Sequence, residues 1–204
     1  SELHLSPKLP YLFYGMVTGI HCPNELAILT WLAEQINRDA FALPCSLIIR
    51  PHPQTISGLY ARSAGELDAL KALTGPRVVL DIPHVLSEDL AWDLPKPDMY
   101  RLASLLAGCA ICLNASSTLC LDACMLDRPV INIGFDGRES LPYERSARRS
   151  LDYTHMARLL AFGGVRIARS FPELEQHIDM YFKHPDWDRE TRLLAATQEC
   201  GPRD

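Results

Sequence analysis

No stretch of this sequence is apolar for long enough to span a bilayer, and no internal repeat or low-complexity tract interrupts it. A surplus of positive charge is missing too. The 20 Lys and Arg against 25 Asp and Glu leave a net charge of −5, which offers no general attraction for nucleic acid or an anionic membrane. The signature loops of the common nucleotide-binding folds are also absent. No G-x-G-x-x-G follows the first apolar run and no G-x-x-x-x-G-K-[ST] occurs, so neither a dinucleotide loop nor a P-loop is present. Gly15-x-x-x-Gly19 fits neither pattern, and no G-x-S-x-G elbow marks a hydrolase nucleophile. Paired metal-ligating cysteines are lacking as well. Cys109-x-x-Cys112 stands without a second pair at ribbon-like spacing, so no metal and no cofactor are expected.

What is there suits one globular domain. The 204 residues are 48% hydrophobic and 22% charged, ordinary values for a folded chain. Seven cysteines are present, and four of them (Cys109, Cys112, Cys120 and Cys124) fall in or beside the apolar stretch LLAGCAICLNASSTLCLDACML. Free cysteine behaves as a small buried hydrophobe, which fits a core strand and helix. The odd count and the lack of a secretory leader point to a reducing cytoplasm.

Residues 1–9 read as an irregular N-terminal extension and residues 10–204 as a single domain. Tyr11 to Val17 is an apolar, aromatic run that predicts a buried strand. Asn24 is placed to cap a helix with an apolar stripe through Ile28, Leu29, Leu32 and Ile36. Further strands are expected at Ser46 to Arg50, Val78 to Leu80, Ala110 to Asn114, Pro129 to Ile133 and Val165 to Ala168. Helices are expected over about 64–73, 98–107, 116–127, 155–162, 172–182 and 186–199. Residues 81–97, acidic and proline-bearing, read as a loop, and the Arg- and Glu-rich segment 136–150 as exposed and mobile. Short apolar strands alternating with helices define the fold class: α/β, a Rossmann-like three-layer domain with a mostly parallel sheet of about six strands.

Ligands of such a sheet bind outside the carboxyl ends of its strands, so the strand exits are the places to look for chemistry. Ser116-Ser117-Thr118 sets three hydroxyls at a predicted helix start, where backbone N–H groups suit a phosphate. Asp122, four residues past Thr118, is spaced to accept the hydroxyls of a ribose. The same residues also suit a plain N-cap and a solvated aspartate. In Arg50-Pro51-His52-Pro53, arginine offers a donor fork to phosphate, and histidine a donor or a proton-transfer group. The alternative is a rigid strand exit with an exposed arginine. His155, after the arginine-rich loop, is a candidate for the same cleft. His4, His21, His84 and His177 show no partner pattern and read as structural or solvated, as does His184-Pro185.

With Arg50-Pro51-His52-Pro53 and Ser116-Ser117-Thr118-(x)3-Asp122 both present, the chain resembles the C-terminal half of GT-B-fold transferases. It is similar to bacterial surface-polysaccharide enzymes, including the CDP-glycerol glycerophosphotransferases and the sialyl- and polysialyltransferases that share a His-Pro and a Ser-Ser/Thr motif. The stretch Met99 to Phe135 also looks like the general GT-B pattern, and the resemblance covers about Leu9 to Cys200. It implies a donor-binding domain for a CDP-, CMP- or UDP-linked donor, in which Arg50 and His52 approach the phosphates and His52 carries any catalytic role. Ser116, Ser117 and Thr118 would cradle the phosphates, Asp122 would hold the ribose, and Gly15 and His155 would complete the site. It further implies a fragment of a longer two-domain enzyme whose missing N-terminal acceptor domain supplies the general base and any peripheral membrane association. This chain alone would then be inactive. A UDP-sugar 2-epimerase-like domain and a non-catalytic nucleotide-binding or interaction module are the alternatives.

Overall fold

The structure, a computed structural model, describes residues 8–57, 65–86 and 93–201. Most of the expected N-terminal extension, the start of the helix expected near Ala64 and the centre of the 81–97 loop lie outside the described residues. Six strands form one sheet: β1 (Tyr11–Gly15), β2 (Ser46–Arg50), β3 (Val78–Leu80), β4 (Ile111–Asn114), β5 (Val130–Ile133) and β6 (Arg166–Ala168). Every pairing is parallel, in the order β3-β2-β1-β4-β5-β6. This is the strand order of the doubly wound mononucleotide-binding fold.

The strands are continuous apolar runs because both faces of the sheet are covered. Alternate side chains feed two separate cores. Leu12, Tyr14, Leu47, Ile49, Leu113 and Ile133 point to one, while Phe13, Ile48, Cys112 and Val130 point to the other. Against the first core pack α1 (Glu25–Asn37) through Ile28, Leu29, Leu32 and Ile36, α3 (Glu66–Ala72) through Leu70, and α7 (Phe171–Lys183) through Leu174 and Ile178. Against the second pack α4 (Lys96–Gly108), α5 (Leu119–Met125), α6 (Thr154–Ala161) and α8 (Arg189–Cys200). A four-residue helix, α2 (Pro53–Ile56), follows β2 directly and was not expected from the sequence. The result is a three-layer α/β domain. Cys109, Cys112, Cys120 and Cys124 are all buried in the second core, as small hydrophobes would be.

The chain changes face once between β3 and β4. It leaves the sheet at one edge, crosses through α4, and returns to the centre beside β1. After β6 it crosses back, with α7 on the first face, and then over again with α8 on the second. α8 is clamped to α5 by charge as well as by Ala195 and Ala196. Arg192, 1% exposed, donates through Nε and Nη2 to Asp127 Oδ1 at 3.1 and 2.9 Å, and Arg189 Nε donates to Asp127 Oδ2 at 2.7 Å. Gly164 permits this approach, since a Cβ there would lie 2.5 Å from the Arg192 backbone.

Segment 136–150 is largely exposed, as expected of its charge, but it is not irregular. Two 3-10 turns order it, Tyr143–Arg145 and Ala147–Asp152. The buried Asp136 carboxylate accepts from Ser146 Oγ at 2.6 Å and from the Ala147 N–H at 2.8 Å, folding the segment back on itself. Asn24 also differs from expectation. Its side chain makes no cap bond to α1 but donates to the Asp136 carbonyl at 3.1 Å, tying this segment to the start of the helix.

Candidate functional site

The face switch leaves a crevice above β1 and β4, the topological switch point at which open α/β sheets bind ligands. A cleft of about 470 Å³ occupies it. Four strand exits or helix starts line this cleft. The loop after β1 gives Val17, Thr18, Ile20 and His21, and the β2 exit gives His52 and Gln54. The β4 exit gives Ser116 and Ser117, and the start of α6 gives Tyr153 and His155. His52, Ser116, Ser117 and His155, separated by up to about a hundred residues in sequence, are thus brought to one place.

His52 is held by its own backbone. It caps α2, and its Nδ1 accepts the Gln54 N–H at 3.2 Å. An accepting Nδ1 leaves the ring proton of the neutral imidazole on Nε2, so that nitrogen is the donor.

The serine turn is built differently from the expected helix tip. Ser116 has a left-handed backbone (φ +59°), and α5 begins only at Leu119. Asn114 Oδ1 accepts the Ser117 N–H at 3.3 Å, and Ser117 Oγ accepts the Leu119 N–H at 3.2 Å. The Cys120 thiol lies beneath, 3.2 Å from Asn114 Oδ1 and 2.9 Å from Asn132 Oδ1, with one S–H to share between the two acceptors. Ser116 Oγ is shut away from solvent with no hydrogen-bond partner among the described residues. A left-handed non-glycine residue costs about 1 kcal/mol or more and persists where its surroundings over-determine it, often beside a binding site. Thr118 is exposed, makes no side-chain cap bond and does not line the cleft.

Three other sequence candidates stand elsewhere. Arg50 is 6% exposed and lies outside the cleft. Its Nη1 pairs with Asp81 and its Nη2 with Asp98, both buried. Arg101 Nε joins Asp81 Oδ1 at 2.6 Å, and the His84 N–H donates to Asp98 Oδ1 at 3.1 Å. The expected phosphate fork is therefore occupied by two carboxylates, and Arg50 serves to bind β2 to α4. Gly15 also corrects the expectation. A Cβ there would lie 2.1 Å from Leu119 Cδ2, so this glycine admits α5 close to β1 and does not line the cleft. Asp122 is exposed on α5 and is likewise absent from the cleft wall.

Sequence reasoning missed His21 and Tyr153. The His21 ring stands edge-on to Tyr153, with centroids 6.2 Å apart, and Tyr153 is 6.1 Å from His155. Burial, followed by the nearby Arg149 guanidinium, holds the His21 imidazole below its ordinary value. The available signal was position: His21 sits in the same β1 exit loop as Gly15 and Gly19, two residues further on.

A second cleft, of about 560 Å³, lies outside the exits of β5 and β6. Its charged groups already hold protein: Arg148 Nε donates to Ser146 Oγ at 3.0 Å, and Arg169 pairs with Glu173 at 3.5 Å. Among the described residues, no group of three His, Cys, Asp or Glu side chains could hold a metal. Nor is any described helix long and apolar enough to cross a membrane.

Sheet order and switch-point cleft together define a Rossmann-type α/β domain. No protein-family model matches the chain, and no curated protein aligns with it. Among solved structures, it is similar to a UDP-GlcNAc 2-epimerase from Neisseria meningitidis bound to UDP-GlcNAc, at 12% identity and a TM-score of 0.49, over 96% of this chain and 43% of that one. It is also similar to the calicheamicin glycosyltransferase CalG4, at 14% identity and 0.49, over 97% of this chain and 40% of that one. The glycosyltransferase SnogD from Streptomyces nogalater aligns at 11% identity and 0.44, over 95% and 40%. The chain thus spans about two fifths of the length of each.

Proposed function

We propose that this chain is the donor-binding half of a GT-B-type transferase of surface-polysaccharide synthesis. In this reading the switch-point cleft receives the phosphate of a nucleotide-activated sugar or alcohol. The observation that carries it is the convergence of His52, Ser116, Ser117 and His155 on one cleft at the face switch of the sheet. His52 Nε2–H and the Ser117 hydroxyl are the donors to the phosphate. When an acceptor oxygen displaces the nucleotide, the phosphate oxygen keeps the electron pair of the broken bond. These donors stabilise the charge that grows there. The acceptor's proton goes to a base in a second domain facing the cleft. Neither Arg50 nor Gly15 enters this scheme, and Asp122 and Thr118 stand outside the cleft wall.

His52→Asn tests the reading, because asparagine retains a side-chain acceptor for the Gln54 N–H while removing the Nε2 donor. The wild type is expected to gain melting temperature with at least one of CMP, CDP, UDP or UDP-N-acetylglucosamine at millimolar concentration. His52→Asn should keep its unliganded melting temperature and bind about 10- to 150-fold more weakly, the equivalent of losing one charge-assisted bond of about 1.5–3 kcal/mol. Wild-type protein that no nucleotide stabilises, or a variant that binds normally, would sink the proposal.

A further inference from the structure

Of the ten side chains around the switch-point cleft none is Lys, Arg, Asp or Glu, yet three are histidine. Arg50, the nearest strand-exit cation in the sequence, is taken up by Asp81 and Asp98. Among the described residues that line the cleft, a bound phosphate therefore meets no permanent cation, the nearest guanidinium to His21 being that of Arg149 behind it. The groups there that can become positive are imidazoles.

The three histidines differ in their readiness to do so. His52 accepts a backbone N–H at Nδ1, and protonating that nitrogen would break the cap. His155 is exposed, so a ligand in the cleft changes its surroundings least. His21 is half-buried and its loop is fixed, its N–H donating to the Thr18 carbonyl at 2.9 Å. The groups around it are Arg149 from the second 3-10 turn, Tyr153 and His155 at the start of α6, and His52 across the cleft. On the α1 side, the Glu25 carboxylate is engaged by the Val17 N–H at 3.3 Å. No described residue of the cleft wall supplies a carboxylate to hold an imidazolium when the cleft is empty.

We propose that His21 is an anion-responsive binding residue, neutral in the empty cleft and imidazolium once a phosphate diester is seated, so that ligand binding takes up a proton. This rests on the reading of the cleft as a phosphate site and adds to it the residue that answers the ligand's charge. Burial and Arg149 hold the empty-state imidazole below 6.5, and an adjacent phosphate acts in the opposite sense. Affinity consequently rises as pH falls through the bound-state pKa, and levels off below the empty-state one. At its steepest the dissociation constant changes about tenfold per pH unit for one proton.

UDP-N-acetylglucosamine and CDP-glycerol are suitable probes, since their diphosphates are diesters that keep a constant charge between about pH 5.5 and 8. Isothermal titration of the full chain across that range, repeated in buffers of differing ionisation heat, reads both the slope and the proton uptake. The wild type is expected to take up about one proton, and His21→Gln less than half of that, with a flattened slope and an unchanged melting temperature. Binding by the wild type without pH dependence overturns the role of His21 while leaving the cleft reading intact. So does a slope that survives in His21→Gln. Failure of both probes to bind at any pH removes the cleft reading itself, and His21's role with it.

Discussion

Replacing Arg50 by methionine keeps much of the side chain's apolar stem and removes the charge that two buried carboxylates share. Asp81 is 2% and Asp98 6% exposed, and Arg50 lies between them at 6%. Breaking a buried pair from one side costs about 3–5 kcal/mol, because the remaining charge is left in a poor solvent. Here the lower end applies: Asp81 keeps Arg101 Nε at 2.6 Å, and Asp98 keeps the His84 N–H at 3.1 Å. In a domain of this size each kcal/mol moves the melting temperature by about 2–4 °C, so Arg50→Met should melt roughly 6–12 °C lower. Nucleotide affinity per folded molecule should change less than about threefold, since Arg50 does not line the cleft. Adding Asp98→Asn removes a stranded charge and should return part of the loss. Thermal melts and nucleotide titrations of both variants decide the matter. An Arg50→Met protein that melts within about 2 °C of wild type and binds tenfold or more weakly would refute this reasoning and restore the arginine as a phosphate ligand.

Two further outcomes follow, one from the Asp127 clamp and one from the burial of cysteines in both cores. Burial alone would raise the Asp127 carboxyl, but hydrogen bonds from Arg189 and Arg192 outweigh it and hold the group below 3.8. A depressed carboxyl contributes stability above its unfolded value and loses it as pH falls through the folded one. The melting-temperature gap between wild type and Asp127→Asn should therefore be widest above about pH 5 and close as pH drops below about 4; a gap that widens in acid contradicts the clamp. Thiol labelling should proceed in two stages. Six of the seven cysteines are buried, and Cys45 and Cys109 are pushed up to about 12 by burial. One thiol, Cys200, should react in the native state and the other six only on unfolding; two or more fast native thiols would contradict the packing of the cores.

The strands were legible in the sequence because full burial on both faces removes any alternation, leaving SLIIR and VINI as bare apolar runs between turns. Their parallel arrangement was legible too, since helical segments separate them. The start of α5 was not. A serine at φ +59° looks in sequence like any N-cap, and what moves the helix start to Leu119 is the hydrogen bonding of Asn114 with Ser117 and Cys120. The role of Arg50 was hidden for a different reason. Its partners lie 31 and 48 residues away, on a loop and a helix whose proximity depends on the crossover from β3 to β4. In segment 136–150 charge content correctly reads as exposure for Arg138, Glu139, Glu144, Arg145 and Arg148, but the buried Asp136, bonded to Ser146 and Ala147, carries no sequence signal of its own. Of the candidate site, His52, Ser116, Ser117 and His155 were legible as strand-exit or helix-start polar residues. His21 was passed over because a lone histidine in a loop carries no pattern of its own.

The return of the chain to the second face has a consequence for biosynthesis. Ala123 and Cys124 of α5 belong to a core completed by Ala195 and Ala196, residues made some seventy positions later. Asp127 likewise waits for Arg189 and Arg192. Until α8 has emerged and packed, one side of α5 presents small apolar and thiol groups to water. The second core is sealed only once α8 has packed against α5.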